Sequence, residues 1–215
     1  MLKSLYPTVD WQDVKAVGFD LDGTLYDEFD FISQVYGPIA DKIAAAAGSD
    51  YSYMYNVLLR SWLEKGSSYN RIFSDVLSAA KVEQETADRV VGDCLGVFRA
   101  FQPALKLSAR VAALLAFFAE RYPLFLVSDG SCELQRAKIE ALGLNRWFRP
   151  ENVVISGCLA SRVEKPSTVA LDSIAIFNDG FDPGTVVFFG DRAVDRLFAE
   201  AAGFRFVGVK NMWAV

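Results

Sequence analysis

Apolar residues fall along this chain in two rhythms. Short, nearly continuous apolar runs occur at Val14–Gly18, Pro123–Ser128, Asn152–Ser156, Thr185–Gly190 and Phe204–Val209. Unbroken apolar character over so few residues, rich in Val and Phe, predicts strands of a parallel sheet covered on both faces. Between and beside the later runs, apolar positions recur at helical spacing over Ala109–Arg121, Cys132–Leu142, Thr168–Asn178 and Ala193–Ala202. Strand–helix alternation predicts a doubly wound, mostly parallel α/β sheet whose ligand site lies at the carboxyl ends of the strands.

The rhythm changes between the first and second strands. Residues 28–103 read as helices only, over Phe31–Ala47, Tyr51–Lys65, Tyr69–Ala80 and Glu83–Ala100. The breaks fall at Gly48-Ser49-Asp50 and Gly66-Ser67-Ser68, where glycine and short polar side chains favour turns. The expected organisation is therefore an α/β domain of residues 1–27 and 104–215, interrupted by a helical domain of residues 28–103. No internal repeat or low-complexity linker is visible.

Composition narrows the chemistry. With 215 residues, 52% of them hydrophobic, the chain can bury a full core. A net charge of −5 argues against a nucleic-acid or anionic-membrane surface. No apolar run is long enough for a membrane span, and the N-terminus carries no signal-peptide pattern. Cys94, Cys132 and Cys158 are scattered and odd in number, which reads as small buried thiols in a reducing cytoplasm. The chain has no histidine, which excludes Ser-His-Asp and Cys-His catalysis and any His-ligated zinc. Carboxylates, lysine and a hard metal must carry any reaction.

Four runs supply such groups, three of them at predicted strand ends. Phe19-Asp20-Leu21-Asp22-Gly23-Thr24-Leu25 follows the first strand and sets two carboxylates two positions apart, on one face if the strand continues. Two acids held so close ionise together cheaply only around a cation, so the pair implies a metal. Gly23 permits a sharp turn, and Thr24 offers a hydroxyl and an N–H to an anion. Leu126-Val127-Ser128-Asp129-Gly130 ends the second strand with a hydroxyl and following N–H groups suited to a phosphate oxygen. Glu164-Lys165-Pro166 reads as the opening of a helix, with the lysine near its positive end. Gly190-Asp191-Arg192-Ala193-Val194-Asp195 follows another strand and spaces two acids one helical turn apart.

These four runs, in this order, resemble the motifs of the haloacid dehalogenase (HAD) superfamily, most of whose members are phosphatases. The helical block resembles the cap that many members insert after the first motif. Gln135-Arg136-Ala137-Lys138-Ile139 and Ala141-Leu142-Gly143-Leu144 also look like members acting on sugar phosphates or nucleotides. The resemblance implies a nucleophile at Asp20, a general acid/base at Asp22 and a charge-neutralising lysine at Lys165. It implies Mg²⁺ held by Asp20, Asp191 and the backbone carbonyl of Asp22, with Asp195 buttressing Lys165 or the metal shell. Thr24, Ser128, Asp129, Gly130 and Lys165 would surround the phosphoryl group of a small phosphorylated metabolite. Two positions depart from the common pattern. Members commonly carry Asn where Asp129 stands, and a carboxylate facing phosphate is repelled, so Asp129 is expected to point elsewhere or meet a cation. Many carry Ser or Thr where Arg192 stands.

Rival chemistries of the same superfamily fit fewer residues. A dehalogenase needs neither the second acid nor a metal, so Asp22 argues against it. A phosphosugar mutase can depend on a cap histidine, which is absent. A phosphonate-cleaving relative uses a cap lysine, and Lys42 and Lys65 are available, but Asp22 favours ester hydrolysis. A non-catalytic phosphate-binding protein would not need Asp20, Asp22, Lys165 and Asp191 together. Within residues 28–103, the aromatics Tyr36, Tyr51, Tyr55, Trp62 and Tyr69 and the cations Arg60, Lys65 and Arg71 are the candidates for contacting a leaving group, with the loop from Lys65 to Arg71 expected to set specificity.

Overall fold

The computed structural model describes residues 5–161, 163–178, 180 and 182–209. The outer ends of the expected α/β domain, residues 1–4 and 210–215, lie outside the described residues. The chain divides into two compact units, residues 1–28 with 105–215, and residues 29–104.

The first unit is built on five parallel strands: β1 (Ala16–Phe19), β2 (Leu124–Ser128), β3 (Val153–Ile155), β4 (Val186–Gly190) and β5 (Arg205–Gly208). Their spatial order is β3-β2-β1-β4-β5. Every residue of β1, β2 and β4 is buried, which is why these segments read as apolar runs without alternation. Successive side chains of β4 point to opposite faces, and each face has its own helix. Phe189 stacks on Phe19 at 5.1 Å and meets Phe118 of α5 (Ala109–Ala119). Phe188 instead packs on Phe198 of α7 (Ala193–Ala202) and on Phe125. The sheet is doubly wound, as its sequence pattern requires.

Two expectations fail in this unit. Thr168–Asn178 is not one α-helix but two 3₁₀ segments, Thr168–Ser173 and Ala175–Phe177. Ile174 between them is fully buried in an extended conformation, and the Ile176 N–H donates to Asn152 Oδ1 at 3.3 Å. That bond draws the donor out of a helical ladder. Glu164-Lys165-Pro166 accordingly precedes a 3₁₀ segment capped by Ser167, not an α-helix.

The second failure concerns the cysteines. Cys132 and Cys158 are joined in a disulfide, with Cα atoms 4.8 Å apart, so only Cys94 is a free buried thiol. Their separation in sequence hides their proximity. β2 and β3 pair in parallel with Ser128 opposite Ile155, which brings the loops leaving both strands side by side. The Gly157 N–H donates to the Gly130 carbonyl at 3.0 Å. A Cβ at Gly157 would stand 2.2 Å from that oxygen, so only glycine allows the approach.

The second unit is helical: α1 (Glu28–Ala47, whose first residue belongs to the other unit), α2 (Tyr51–Lys65), α3 (Ile72–Ala79) and α4 (Gln84–Ala100). Asp50 caps α2 by accepting the Tyr53 N–H at 2.9 Å. Phe31, Tyr36, Phe73 and Phe98 meet edge to face in its interior. Gln34 exchanges two hydrogen bonds with the Ala104 backbone, tying the end of the insertion to its first helix. No helix among the described residues is long and apolar enough to cross a membrane.

Candidate active site

β1 ends at Phe19, and the Asp20 N–H still bonds the Phe189 carbonyl at 2.9 Å, so the acids stand just past the strand's carboxyl end. The chain then turns at Gly23, where φ is +77°. A Cβ there would lie 2.4 Å from Asp191 Oδ2, so this turn both needs glycine and brings the first and fourth motifs into contact.

Asp20 is 1% exposed. Its Oδ1 accepts from Lys165 Nζ at 2.5 Å, and its Oδ2 from the Thr24 hydroxyl at 3.3 Å. Lys165 Nζ also reaches Asp195 Oδ1 at 2.5 Å and the Val127 carbonyl at 3.4 Å. Asp195 uses its other oxygen to accept the Arg192 N–H at 3.0 Å. Both Asp195 oxygens thus have protein donors, which makes it an anchor for Lys165 and for the start of α7. Burial lowers the tendency of Lys165 to hold a proton, but the charges of Asp20, Asp195 and Asp129 reverse this and hold it above the usual lysine range. Burial raises Asp20 above the ordinary carboxylate range, with Lys165 opposing and Asp195 reinforcing.

Asp22 lies in a different environment. Its Oδ1 accepts from Lys138 Nζ at 2.6 Å and from the Tyr26 hydroxyl, and its Oδ2 accepts from Gln135 Nε2 at 2.7 Å. Burial would raise this acid, yet Lys138 and the hydrogen bonds outweigh it and lower Asp22. Gln135 Nε2 also lies 2.6 Å from Ser128 Oγ and 2.9 Å from the Asp129 carbonyl. Lys138, Gln135 and Tyr26 were not among the expected site residues. A signal was present: Gln135 and Lys138 occupy positions of the apolar stripe of α6 (Cys132–Ala141) beside Leu134 and Ile139, where a polar residue needs a buried partner.

The loop after β2 differs from expectation in one respect. The Gly130 N–H is not free for a ligand but donates to Ser156 Oγ at 3.1 Å. The Asp129 carboxylate turns to the backbone N–H of Lys165, at 3.2 and 3.3 Å, which gives this departure from the family pattern a structural partner.

Asp20, Asp191 and Asp195 each offer an oxygen within 4.8 Å of the others. Burial and the Asp20 charge push Asp191 up to about 7. The Arg192 guanidinium approaches it only to 3.9 Å, beyond hydrogen-bond range. Crowded carboxylate oxygens with so little cationic compensation at Asp191 fit a hard divalent ion. The Asp22 side chain is outside this cluster, leaving its backbone carbonyl as the group it could offer.

The model of the haloacid dehalogenase-like hydrolase family matches residues 14–203, which spans all four motifs. The chain belongs to that family. This HAD-like hydrolase also shares its fold with solved structures. A HAD-superfamily hydrolase of subfamily IA, variant 1, from Geobacter sulfurreducens matches with TM-score 0.68 and 21% identity, over 91% of this chain and 87% of the other. A HAD phosphatase from Thermococcus onnurineus matches with TM-score 0.60 and 20% identity, over 92% and 86%. A dehalogenase matches with TM-score 0.53 and 20% identity, over 94% and 87%. At such identities the likeness is one of fold, and the same fold carries different reactions. No curated protein matches the chain.

Proposed function

We propose that this HAD-like hydrolase is a Mg²⁺-dependent phosphatase that hydrolyses a small phosphorylated metabolite, a sugar phosphate or nucleotide monophosphate, through an aspartyl-phosphate. The observation that carries the reading is the buried Asp20–Lys165 pair at 2.5 Å with a second acid, Asp22, two residues on and separately partnered. A metal-free dehalogenase would have no use for that second acid.

In the first step an Asp20 oxygen attacks phosphorus and the bond to the leaving oxygen breaks, with Asp22 delivering the proton. In the second, Asp22 removes a proton from water as it attacks the acyl phosphate, releasing phosphate and restoring Asp20. Lys165, Thr24 and Ser128 stabilise the charge on the transferring oxygens, and Asp129 and Gly130 shape the loop that presents Ser128. Asp20, Asp191 and the Asp22 carbonyl would hold Mg²⁺, which when bound neutralises charge between carboxylate and phosphate. The helical unit acts as the cap that selects the leaving group. A net charge of −5 suits a small metabolite better than a polyanionic partner. Cytoplasmic residence rested in part on three free thiols, and the Cys132–Cys158 bond removes that ground.

Purified protein assayed on p-nitrophenyl phosphate and a panel of phosphorylated metabolites is expected to release phosphate with Mg²⁺ and not with excess chelator. Halide release from a 2-haloacid without metal, and no phosphate release, would overturn the reading.

A further inference from the structure

Helix α6 carries two buried polar side chains that the reaction above does not use. Gln135 is 1% exposed and Lys138 3%. Three residues apart, they share one helix face. Lys138 ends on Asp22 Oδ1, and Gln135 bridges Asp22 Oδ2 to Ser128 Oγ and the Asp129 carbonyl. The Oε1 of the same Gln135 amide is buried without a hydrogen-bond partner among the described residues. A side chain kept for stability would satisfy both ends of its amide, since a buried unpaired acceptor is costly. Gln135 satisfies only the end that faces Asp22 and Ser128.

We propose that Gln135 and Lys138 are positioning residues, a clamp that fixes the Asp22 carboxylate relative to the Ser128 hydroxyl. The clamp rests on the phosphatase reading. Asp22 must meet the leaving oxygen while Ser128 holds the transferring group, and these two residues lie on different segments, the turn after β1 and the last residue of β2. Gln135 touches both with one nitrogen. Lys138 and the Tyr26 hydroxyl converge on the other Asp22 oxygen, which removes the rotation that Gln135 alone would allow. A small angular error in a proton donor is expensive in rate, so the clamp acts on phosphoryl transfer and little on substrate binding.

Two aryl esters of similar shape separate positioning from general damage. Phenyl phosphate has a poor leaving group and depends on a well-placed proton donor, whereas p-nitrophenyl phosphate does not. In Lys138→Met, kcat/KM for phenyl phosphate is expected to fall about tenfold further than for p-nitrophenyl phosphate, with Lys138→Arg restoring most of the difference. Gln135→Leu is expected to show the same selective loss, with KM for both esters little changed. Because Lys138→Met leaves Asp22 buried without its cation, the double variant Asp22→Asn/Lys138→Met is measured as well. It is expected to match Asp22→Asn alone, as a residue acting only through Asp22 must. Equal losses on both esters, or a further loss in the double variant, would overturn the clamp while leaving the phosphatase reading intact. Wild-type protein inactive on both esters with Mg²⁺ would overturn the reading and the clamp with it.

Discussion

Asp20 and Asp22 are separated by one leucine, yet their surroundings differ in nearly every respect. Asp20 shares one cation, Lys165, with a second buried carboxylate and stands within a cluster of acids, so its proton affinity rises. Asp22 has Lys138 beside it and two further hydrogen bonds, so its proton affinity falls. The proposed roles require the reverse in the first step, Asp20 ionised and Asp22 protonated, so a cation beside Asp20 must lower it and Asp22 must take up its proton with the substrate. Excess negative charge around Asp20 is what a divalent ion and a lysine would complete. A fully paired Asp22 is what a group held at one orientation requires. The two sides of the site differ because they are built on different strands: Asp20 faces β4 and its acids, and Asp22 faces α6 after β2.

The largest test of this division removes the proposed nucleophile. Asp20→Asn should lower turnover by on the order of 10⁴-fold or more while thermal unfolding stays cooperative, since Lys165 keeps Asp195. Turnover near wild type would show that Asp20 does not bond to phosphorus.

Removing the shared cation should cost stability as well as activity. Lys165→Met leaves Asp20 and Asp195 buried and uncompensated, and loss of one member of such a buried set costs about 3–5 kcal/mol. Urea unfolding near neutral pH measures it. A shift far below this value would mean that solvent reaches these carboxylates.

The acid-rich side should also reveal itself through pH. Asp191 titrates at about 7 when folded, against an ordinary carboxylate value of 3.8 when unfolded. Between those values the folded chain binds more protons, so the stability contribution is complete below about pH 4 and is lost as pH rises through 7. Chelated protein should therefore show a melting temperature that falls from pH 5 to pH 8, and Mg²⁺ should flatten the slope. Apparent Mg²⁺ affinity should rise over the same interval as Asp191 loses its proton. A pH-independent affinity measured by calorimetry would exclude Asp191 as a ligand.

A single methyl group gives the mildest probe. Gly23→Ala places a carbon against Asp191 Oδ2 on backbone that disfavours it, and should weaken Mg²⁺ binding about tenfold with Lys138 and Asp22 undisturbed. Equal effects on Mg²⁺ dependence and on leaving-group dependence would mean that the two sides are coupled more tightly than their contacts suggest.

Much of this arrangement is legible in the sequence because it is local. Asp20, Asp22, Thr24, Ser128, Asp191 and Asp195 sit at strand ends that apolar runs mark, and parallel strands deliver their carboxyl ends to one edge. The five strands and the doubly wound class follow from the same runs, and their order comes from the structure. Three features were not legible, for a common reason. The Cys132–Cys158 bond, the Lys138–Asp22 pair and the break at Ile174 depend on contacts between segments distant in sequence. Helical spacing over Thr168–Asn178 carried no sign that Asn152 would take the Ile176 N–H. The place of Lys138 on the apolar stripe beside Leu134 and Ile139 marks it as buried but does not say which carboxylate it meets.

The Cys132–Cys158 bond has a consequence for how the molecule opens. Loops that bind ligands ordinarily belong to the least protected parts of a protein, released in small local fluctuations. Here the turn of Asp129 and Gly130 between β2 and α6 is pinned by a cross-link from Cys132, the first residue of α6, to Cys158 just past β3, over a separation of 26 residues. In the chain-entropy view, closing such a loop stabilises the whole fold by roughly 3–4 kcal/mol. It also merges the loop with the β2–β3 edge into one cooperative unit. The Gly130 and Gly157 amides should then exchange with solvent as slowly as those of β2, and reductant should release them to exchange on their own.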